Sequence, residues 1–201
     1  MVGSTDHYFT NNDIKSNLKK IEFIYNDISF IFYSDNGVFS KNYIDYGTRT
    51  LISTYLKYNS ASKKILDVGC GYGVIGIIIS KITSSQVDGI DINKRSVHLA
   101  QMNADINKVN SKVFVSNVYE AVTGKYDVII TNPPIRAGKK IVLDILVGAR
   151  DYLTDEGEVW FVIRKDQGAL STKKVLENYY KVDLIYKDKG YFIFCAKKRL
   201  D

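Results

Sequence analysis

The sequence is poor in the residues that most often carry metal and redox chemistry. Its 201 residues include two cysteines, two prolines, two methionines and one tryptophan, and only two histidines. Cys70 and Cys195 lie far apart and form no Cys-x-x-Cys pair, which argues against a disulfide framework or a zinc site. His7 and His98 supply too few parts for a histidine-based metal site or nucleophile triad. The chain begins with Asp6 and His7 where a signal peptide would have an apolar segment. Its longest apolar stretch, Val74 to Ile79, is far too short to span a bilayer. These absences predict a reducing, cytoplasmic setting and no membrane partner.

Hydrophobic residues make up 45% of the chain, enough to bury a full core over this length. One domain over 1–201 is expected, with 1–44 as an N-terminal extension carrying a hairpin and 45–201 as the main α/β unit. The formal net charge is +6. Such a surface suits a polyanion such as RNA, or it is a solvated lysine-rich exterior. The lysines are dispersed in pairs rather than gathered in one arm.

Between Lys20 and Ser40 the pattern reads as paired strands, with Asn26-Asp27 as a turn. A helix follows over 45–58. From Lys64 onward strands and helices alternate. Strands are expected near 65–68, 86–91, 112–115, 126–130 and 159–163. Helices are expected over 74–82, 96–108, 140–153 and 169–179, with a turn at 154–157. Val182 to Tyr186 and Tyr191 to Ala196 read as a closing pair around Lys189-Gly190. The alternation predicts an α/β fold. Its sheet is seven-stranded and mostly parallel, with helices on both faces, a C-terminal antiparallel hairpin and a small N-terminal β-hairpin.

Asp67-Val68-Gly69-Cys70-Gly71-Tyr72-Gly73 falls where the first parallel strand turns into a helix. Glycines there allow a sharp turn and close approach to a ligand. Gly71, Gly73 and Gly76 also match G-x-G-x-x-G, with Asp91 about 20 residues on, as in dinucleotide-binding proteins. Asp67 argues against that reading, because a carboxylate there repels a pyrophosphate. It attracts a cationic ligand instead, and S-adenosylmethionine carries an ammonium and a sulfonium with no phosphate. Asp91 is placed to accept both ribose hydroxyls, or to cap the next helix. Ile92 can pack on the adenine. Asn117 either meets the adenine edge or is an ordinary loop residue. Asp67 either faces the ligand or satisfies loop amides.

Thr131-Asn132-Pro133-Pro134-Ile135 follows the fourth parallel strand and holds both prolines of the chain. Consecutive prolines stiffen the loop and lack N–H groups. Their carbonyls, read here as unpaired, and the Asn132 amide oxygen are fixed acceptors. An exocyclic amine of a base has its lone pair delocalised into the ring. Acceptors on both N–H bonds can turn that lone pair toward a methyl group and stabilise the charge that develops. Asn132, Pro133, Pro134 and Ile135 are therefore the expected catalytic residues.

These motifs resemble those of the Rossmann-like amino-methyltransferases. Val38-Phe39-Ser40, Asp45-Tyr46-Gly47-Thr48, Asn132 to Lys139 and Ile163 to Ala169 look closer still to the bacterial small-subunit ribosomal RNA guanine-N2 methyltransferases, in particular their single-domain relatives. The resemblance implies S-adenosylmethionine held by Gly69, Cys70, Gly71, Gly73 and Asp91, with Asn132 at the transferred methyl. It also implies that Phe39, Gly47 and Thr48 close one side of the cofactor pocket. Many relatives have an aromatic residue after the two prolines; this chain has Ile135. Arg136, Lys139, Lys140, Arg164 and Lys165 are expected at the active-site edge, holding RNA phosphates or lying as solvated charge. The leading expectation is methylation of guanine N2 in ribosomal RNA or a ribosomal particle. An adenine-N6 or protein glutamine-N5 methyltransferase and a non-catalytic RNA-binding assembly factor are the alternatives.

Overall fold

The computed structural model describes residues 15–38, 40, 42–61 and 63–199. Phe39, expected at the cofactor, lies outside them. The first two strands, β1 (Lys19–Tyr25) and β2 (Ile28–Ser34), form an antiparallel hairpin. Asn26 and Asp27 join them with φ of 46° and 61°. Two successive positive values make a type I′ turn, whose twist matches that of the paired strands.

Helix α1 (Tyr46–Tyr58) starts at Asp45, whose carboxylate accepts from the Thr48 N–H at 3.2 Å. Such a cap satisfies one of the free N–H groups of the first turn. The chain then alternates through β3 (Lys64–Val68), α2 (Val74–Thr83), β4 (Gln86–Asp91), α3 (Lys94–Ile106) and the short β5 (Val113–Val115). It continues through β6 (Tyr126–Thr131), α4 (Lys139–Gly148), β7 (Leu153–Arg164) and α5 (Ala169–Leu176). The antiparallel pair β8 (Tyr180–Asp188) and β9 (Tyr191–Lys198) closes it.

One sheet holds seven strands in the order β5-β4-β3-β6-β7-β9-β8. The first five are mutually parallel, and β9 runs antiparallel to both β7 and β8. The expected fold class holds. Alternate residues of the central strands feed two cores. Ile65, Val128, Ile130, Trp160 and Val162 face one cluster, with α1, α2, α3 and the hairpin; Leu66, Ile129, Val159, Phe161 and Ile163 face the other, with α4 and α5. This is the period-2 alternation of a sheet covered on both faces.

The order of strands turns between β3 and β6. In an open α/β sheet the crevice for a ligand lies at the carboxyl ends of the strands flanking that switch point. The Asp67–Gly73 loop, Asp91 and Asn132 all sit there.

Several expected boundaries move. Asp45 caps α1 instead of belonging to it, and Asn93 starts α3 earlier than Ser96 by accepting from the N–H groups of Arg95 and Ser96. The expected helix over 140–153 ends at Gly148 and gives way to a 3-10 turn, Ala149–Tyr152. The turn at 154–157 lies inside β7. Tyr126 pairs with Leu153 and Val128 with Glu158, so Thr154 to Gly157 bulge out of an otherwise continuous ladder. Helix α5 stops at Leu176 because Tyr180 is already in β8, its ring fully buried and its hydroxyl donating to the Leu146 carbonyl at 2.9 Å.

Candidate active site

The glycine loop is held by its own backbone. Gly69 and Cys70 donate to the Ile90 carbonyl at 2.8 and 2.9 Å, and Gly73 donates to the Cys70 carbonyl at 2.9 Å. Gly71 donates to the Asp91 carboxylate at 2.9 Å. Gly69, Gly71 and Gly73 have φ of 70°, 55° and 91°, a region that favours glycine. A Cβ on Gly69 or Gly71 would meet nothing within 4 Å, so open space lies over the loop. Gly73 instead packs against Ala100, and Gly76 against Val87 and Asp67, which lets α2 approach the sheet. The Cys70 thiol is buried, which pushes its pKa well up and leaves it a poor nucleophile.

Asp67 lies beneath the loop, 1% exposed. One oxygen accepts from the Gly76 N–H in the first turn of α2 at 3.1 Å. The other is buried with no hydrogen-bond partner among the described residues. Burial raises the carboxyl from an ordinary 3.8 to about 7, with the nearby Asp91 adding to the rise. The full negative charge expected at this position is therefore reduced near neutrality. A pyrophosphate at a helix N-terminus needs free N–H groups, and here Asp67 takes that of Gly76 in the first turn of α2 while Asp91 takes that of Gly71.

Asp91 ends β4 without capping α3, since Asn93 is the cap. Its two oxygens accept from Gly71 at 2.9 Å and Asn93 at 2.8 Å. Burial raises its pKa, opposed by these N–H groups and that of Ile92. Each oxygen keeps a lone pair for a further donor. Ile92 is half-buried beside it. Ser116 ties β5 to β4 by donating to the Asp91 carbonyl at 3.0 Å. Asn117, next in the chain, is exposed and donates to Glu120 at 2.8 Å.

The fully buried Thr131 donates its hydroxyl to the Val68 carbonyl at 2.7 Å, joining the ends of β6 and β3. Asn132 therefore leaves the sheet beside the glycine loop. Its Nδ2 donates to the Thr48 hydroxyl at 2.9 Å and more distantly to the Asp45 carboxylate at 3.5 Å. The Asp45 carboxylate only accepts, which sets the nitrogen at that end, so Oδ1 points away as an acceptor. Asp45 lies in the segment expected to close the cofactor pocket, and an aspartate directly before a helical run is an N-cap signal; its bond to Asn132 carries no such local signal. One carboxylate thus caps α1 and orients Asn132.

The proline carbonyls are not unpaired, contrary to expectation. Ile135 donates to Pro133 at 2.8 Å and Ala137 to Pro134 at 2.9 Å. Pro134 has φ −74° and ψ 78°, the centre of an inverse γ-turn. These bonds rigidify the loop, and each carbonyl retains a second lone pair. Pro133 is buried and Pro134 exposed. Ile135 is half-buried against the α4–α5 core.

The family model of the methyltransferase small domain matches residues 29–195. The chain belongs to this family. A Bacillus subtilis (strain 168) protein, uncharacterized YbxB, is 40% identical over 200 residues, spanning 96% of this chain and 99% of that one. A Haemophilus influenzae (strain PittEE) ribosomal RNA small subunit methyltransferase C is 36% identical over 135 residues, covering 65% of this chain but 40% of that one. The chain thus spans under half the length of such curated relatives. Among solved structures, the T. thermophilus 16S rRNA N2 G1207 methyltransferase (RsmC), in complex with AdoMet and guanosine, aligns with a TM-score of 0.84. It is 22% identical and covers 92% of this chain and 52% of its own.

The family is one of methyltransferases, and the fold is shared with the Thermus protein solved with AdoMet. The residues here fit that group: open space over Gly69 and Gly71, spare lone pairs on Asp91, and a buried carboxyl with one unsatisfied oxygen at Asp67.

The expected substrate cations are all exposed. Arg136 stands on the 3-10 turn after the prolines, and Lys139 at the start of α4. Lys140 pairs with Asp144 at 2.8 Å. Arg164 and Lys165 lie at the end of β7; Arg164 pairs with Asp166 at 2.9 Å and lies 5.6 Å over the Tyr191 ring. Gly47 also meets Tyr191: a Cβ there would come within 2.7 Å of the ring. Among the described residues, no helix is long and apolar enough to cross a membrane.

Proposed function

We propose that this methyltransferase modifies the exocyclic amine of a nucleobase, guanine N2 in ribosomal RNA, acting as one catalytic domain over 1–201 in the cytoplasm. The observation that carries the reading is Asn132, whose Nδ2 is turned to Thr48 and Asp45 while Oδ1 remains an acceptor beside Pro133. An arylamine has two N–H bonds and a weakly nucleophilic lone pair. Asn132 Oδ1 accepts one N–H, and the second lone pair of the Pro133 carbonyl accepts the other. The nitrogen lone pair is then left free to face a methyl donor. S-adenosylmethionine supplies a methyl made electrophilic by its sulfonium. Positive charge developing on the amine nitrogen would be stabilised by the two acceptors. The extra proton then passes to water, so no strong base is needed.

Asp91 holds the ribose hydroxyls in this reading, Ile92 and Asn117 flank the adenine, and Asp67 steadies the loop from below. Gly47 and Thr48 close the side nearest Asn132. Arg136, Lys139, Arg164 and Lys165 hold phosphates around an extruded base. The printed names of the Haemophilus and Thermus relatives support ribosomal RNA as the substrate class.

The test is transfer of labelled methyl from S-adenosylmethionine to total RNA from cells lacking the protein, followed by nucleoside mass spectrometry. Labelled N2-methylguanosine is expected. Label in N6-methyladenosine or in glutamine of a protein fraction would replace the guanine assignment.

A further inference from the structure

Around Arg164 and Lys165 the structure gathers further rings and cations, Tyr46, Tyr191, Arg49 and Lys189, to which the roles above give no part. Tyr46, the first residue of α1, and Tyr191, the first of β9, have ring centroids 5.5 Å apart. Lys189 lies 4.7 Å and Arg49 5.6 Å from the Tyr46 centroid, while Arg164 lies over Tyr191. The Tyr46 hydroxyl donates to Asp188, and the hairpin turn at Lys189-Gly190 is fixed by the Lys165 N–H donating to the Gly190 carbonyl at 2.8 Å. Lys165 and Lys189 therefore share one ledge. Arg49, Arg164, Lys165 and Lys189 are exposed, and both tyrosines are half-buried.

The ledge runs into a groove of about 290 Å³ between the N-terminal hairpin and α1. Phe23 and Tyr25, stacked with centroids 6.5 Å apart, form one wall; Tyr46, Arg49 and the hydroxyl residues Thr50 and Ser53 form the other. At its other end the ledge reaches the carboxyl end of β7, where Arg164 pairs with Tyr191 across the ladder, and β7 lies beside β6, the strand that leads into Asn132.

We propose that this track docks the single-stranded RNA that flanks the target base, an inference that rests on an RNA substrate. Half-exposed rings give sequence-tolerant stacking surfaces, and cations along the same path neutralise phosphates. The acidic neighbours are already engaged: Asp188 by Tyr46, and Asp166 by Arg164. The ledge also supplies aromatic faces, which Ile135 does not. Gly47 is needed for this, since any larger residue would push Tyr191 off its position.

The test is fluorescence anisotropy with a labelled, mixed-sequence single-stranded RNA of about 12 nucleotides, titrated across a range of salt. Arg49→Ala with Lys189→Ala changes only exposed side chains. The pair should lower the slope of log affinity against log salt by about 0.7 for each lost phosphate contact. Tyr191→Leu should weaken binding roughly 5- to 100-fold, whereas Tyr191→Phe, which keeps the ring, should not. Calorimetry with S-adenosylmethionine shows in each case that the fold and cofactor site survive. An unchanged slope in the double variant, or equal affinity for the Leu and Phe variants, overturns the proposal. So does a wild-type chain that binds no RNA, or one from which polyglutamate displaces the RNA as well as unlabelled RNA does. The base identity is read separately: N6-methyladenosine as product would defeat the guanine assignment and leave the track intact, because the track contacts ring faces and phosphates.

Discussion

The amide of Asn132 has two ends with different tasks. Nδ2 is spent on Thr48 and Asp45, which fixes the rotamer, and Oδ1 is left for a donor. Asn132→Ala should lower kcat by roughly 100- to 1000-fold, the typical effect of one transition-state hydrogen bond, while the affinity for S-adenosylmethionine stays near the wild-type value by calorimetry. Retained turnover would end the catalytic assignment. Asp67 allows a prediction of a different kind. Its pKa rises from 3.8 to about 7 on burial. Between those values the folded state binds more protons than the unfolded one. Stability contributed by the protonated carboxyl is thus full below pH 4 and lost as pH rises to about 7. Asp67→Asn keeps an acceptor for Gly76 and never ionises. Its stability gain over wild type, from denaturant titrations, should grow from near zero at pH 4 to at most roughly 4 kcal/mol above pH 7; a gain independent of pH would refute it. The placement of Asp67, Asp91 and Asn132 at the ends of β3, β4 and β6 was legible in the sequence because a local motif carries each. The bonds that occupy the proline carbonyls were not, since they depend on the ψ of Pro134.

At the scale of elements, strands and helices were legible wherever burial has a single period. The bulge of β7 was not, because Thr154 to Gly157 reads as a turn and behaves as one while the strand continues around it. The attachment of the N-terminal hairpin was also hidden, since it joins residues about 70 positions apart. Asn103 on α3 and Asn107, its C-cap one turn later, meet the edge of β2 as a partner strand would. Asn103 Oδ1 accepts from the Tyr33 N–H at 2.7 Å, and its Nδ2 donates to the Tyr33 carbonyl at 2.9 Å. Asn107 does the same with Ile31 at 3.1 and 2.7 Å. Two amides thus cover an otherwise open sheet edge. Replacing Asn103 with Ala leaves buried backbone groups unpaired and should cost about 2–4 kcal/mol. The double change Asn103→Ala with Asn107→Ala should raise hydrogen exchange across 19–34 while β3 and β6 stay protected. Equal loss of protection in both regions would mean that the hairpin and the main sheet unfold together.

At the scale of the molecule, the glycine loop, α2 and the ends of β3, β4 and β6 meet at one crevice, so a ligand bound there contacts elements from both halves of the parallel sheet. Binding should therefore stabilise the whole fold. A ligand at about 100 times its Kd contributes about 2.7 kcal/mol, and for a domain of this size each kcal/mol shifts Tm by roughly 2–4 °C. S-adenosylmethionine should accordingly raise Tm by about 5–11 °C in calorimetric scans. Asp91→Ala tests whether that coupling runs through the ribose acceptor. The change removes the group that accepts from Gly71 and Asn93 as well as the predicted hydroxyl contacts. Affinity should fall roughly 10- to 100-fold, the value of a hydrogen bond to a charged group, and the Tm rise at the same ligand concentration should fall by roughly half or more. A full Tm rise in the variant would show that the cofactor is held by the loop backbone alone. In that case Asp91 serves as a brace for Gly71, and the ribose must find its acceptor elsewhere along the crevice.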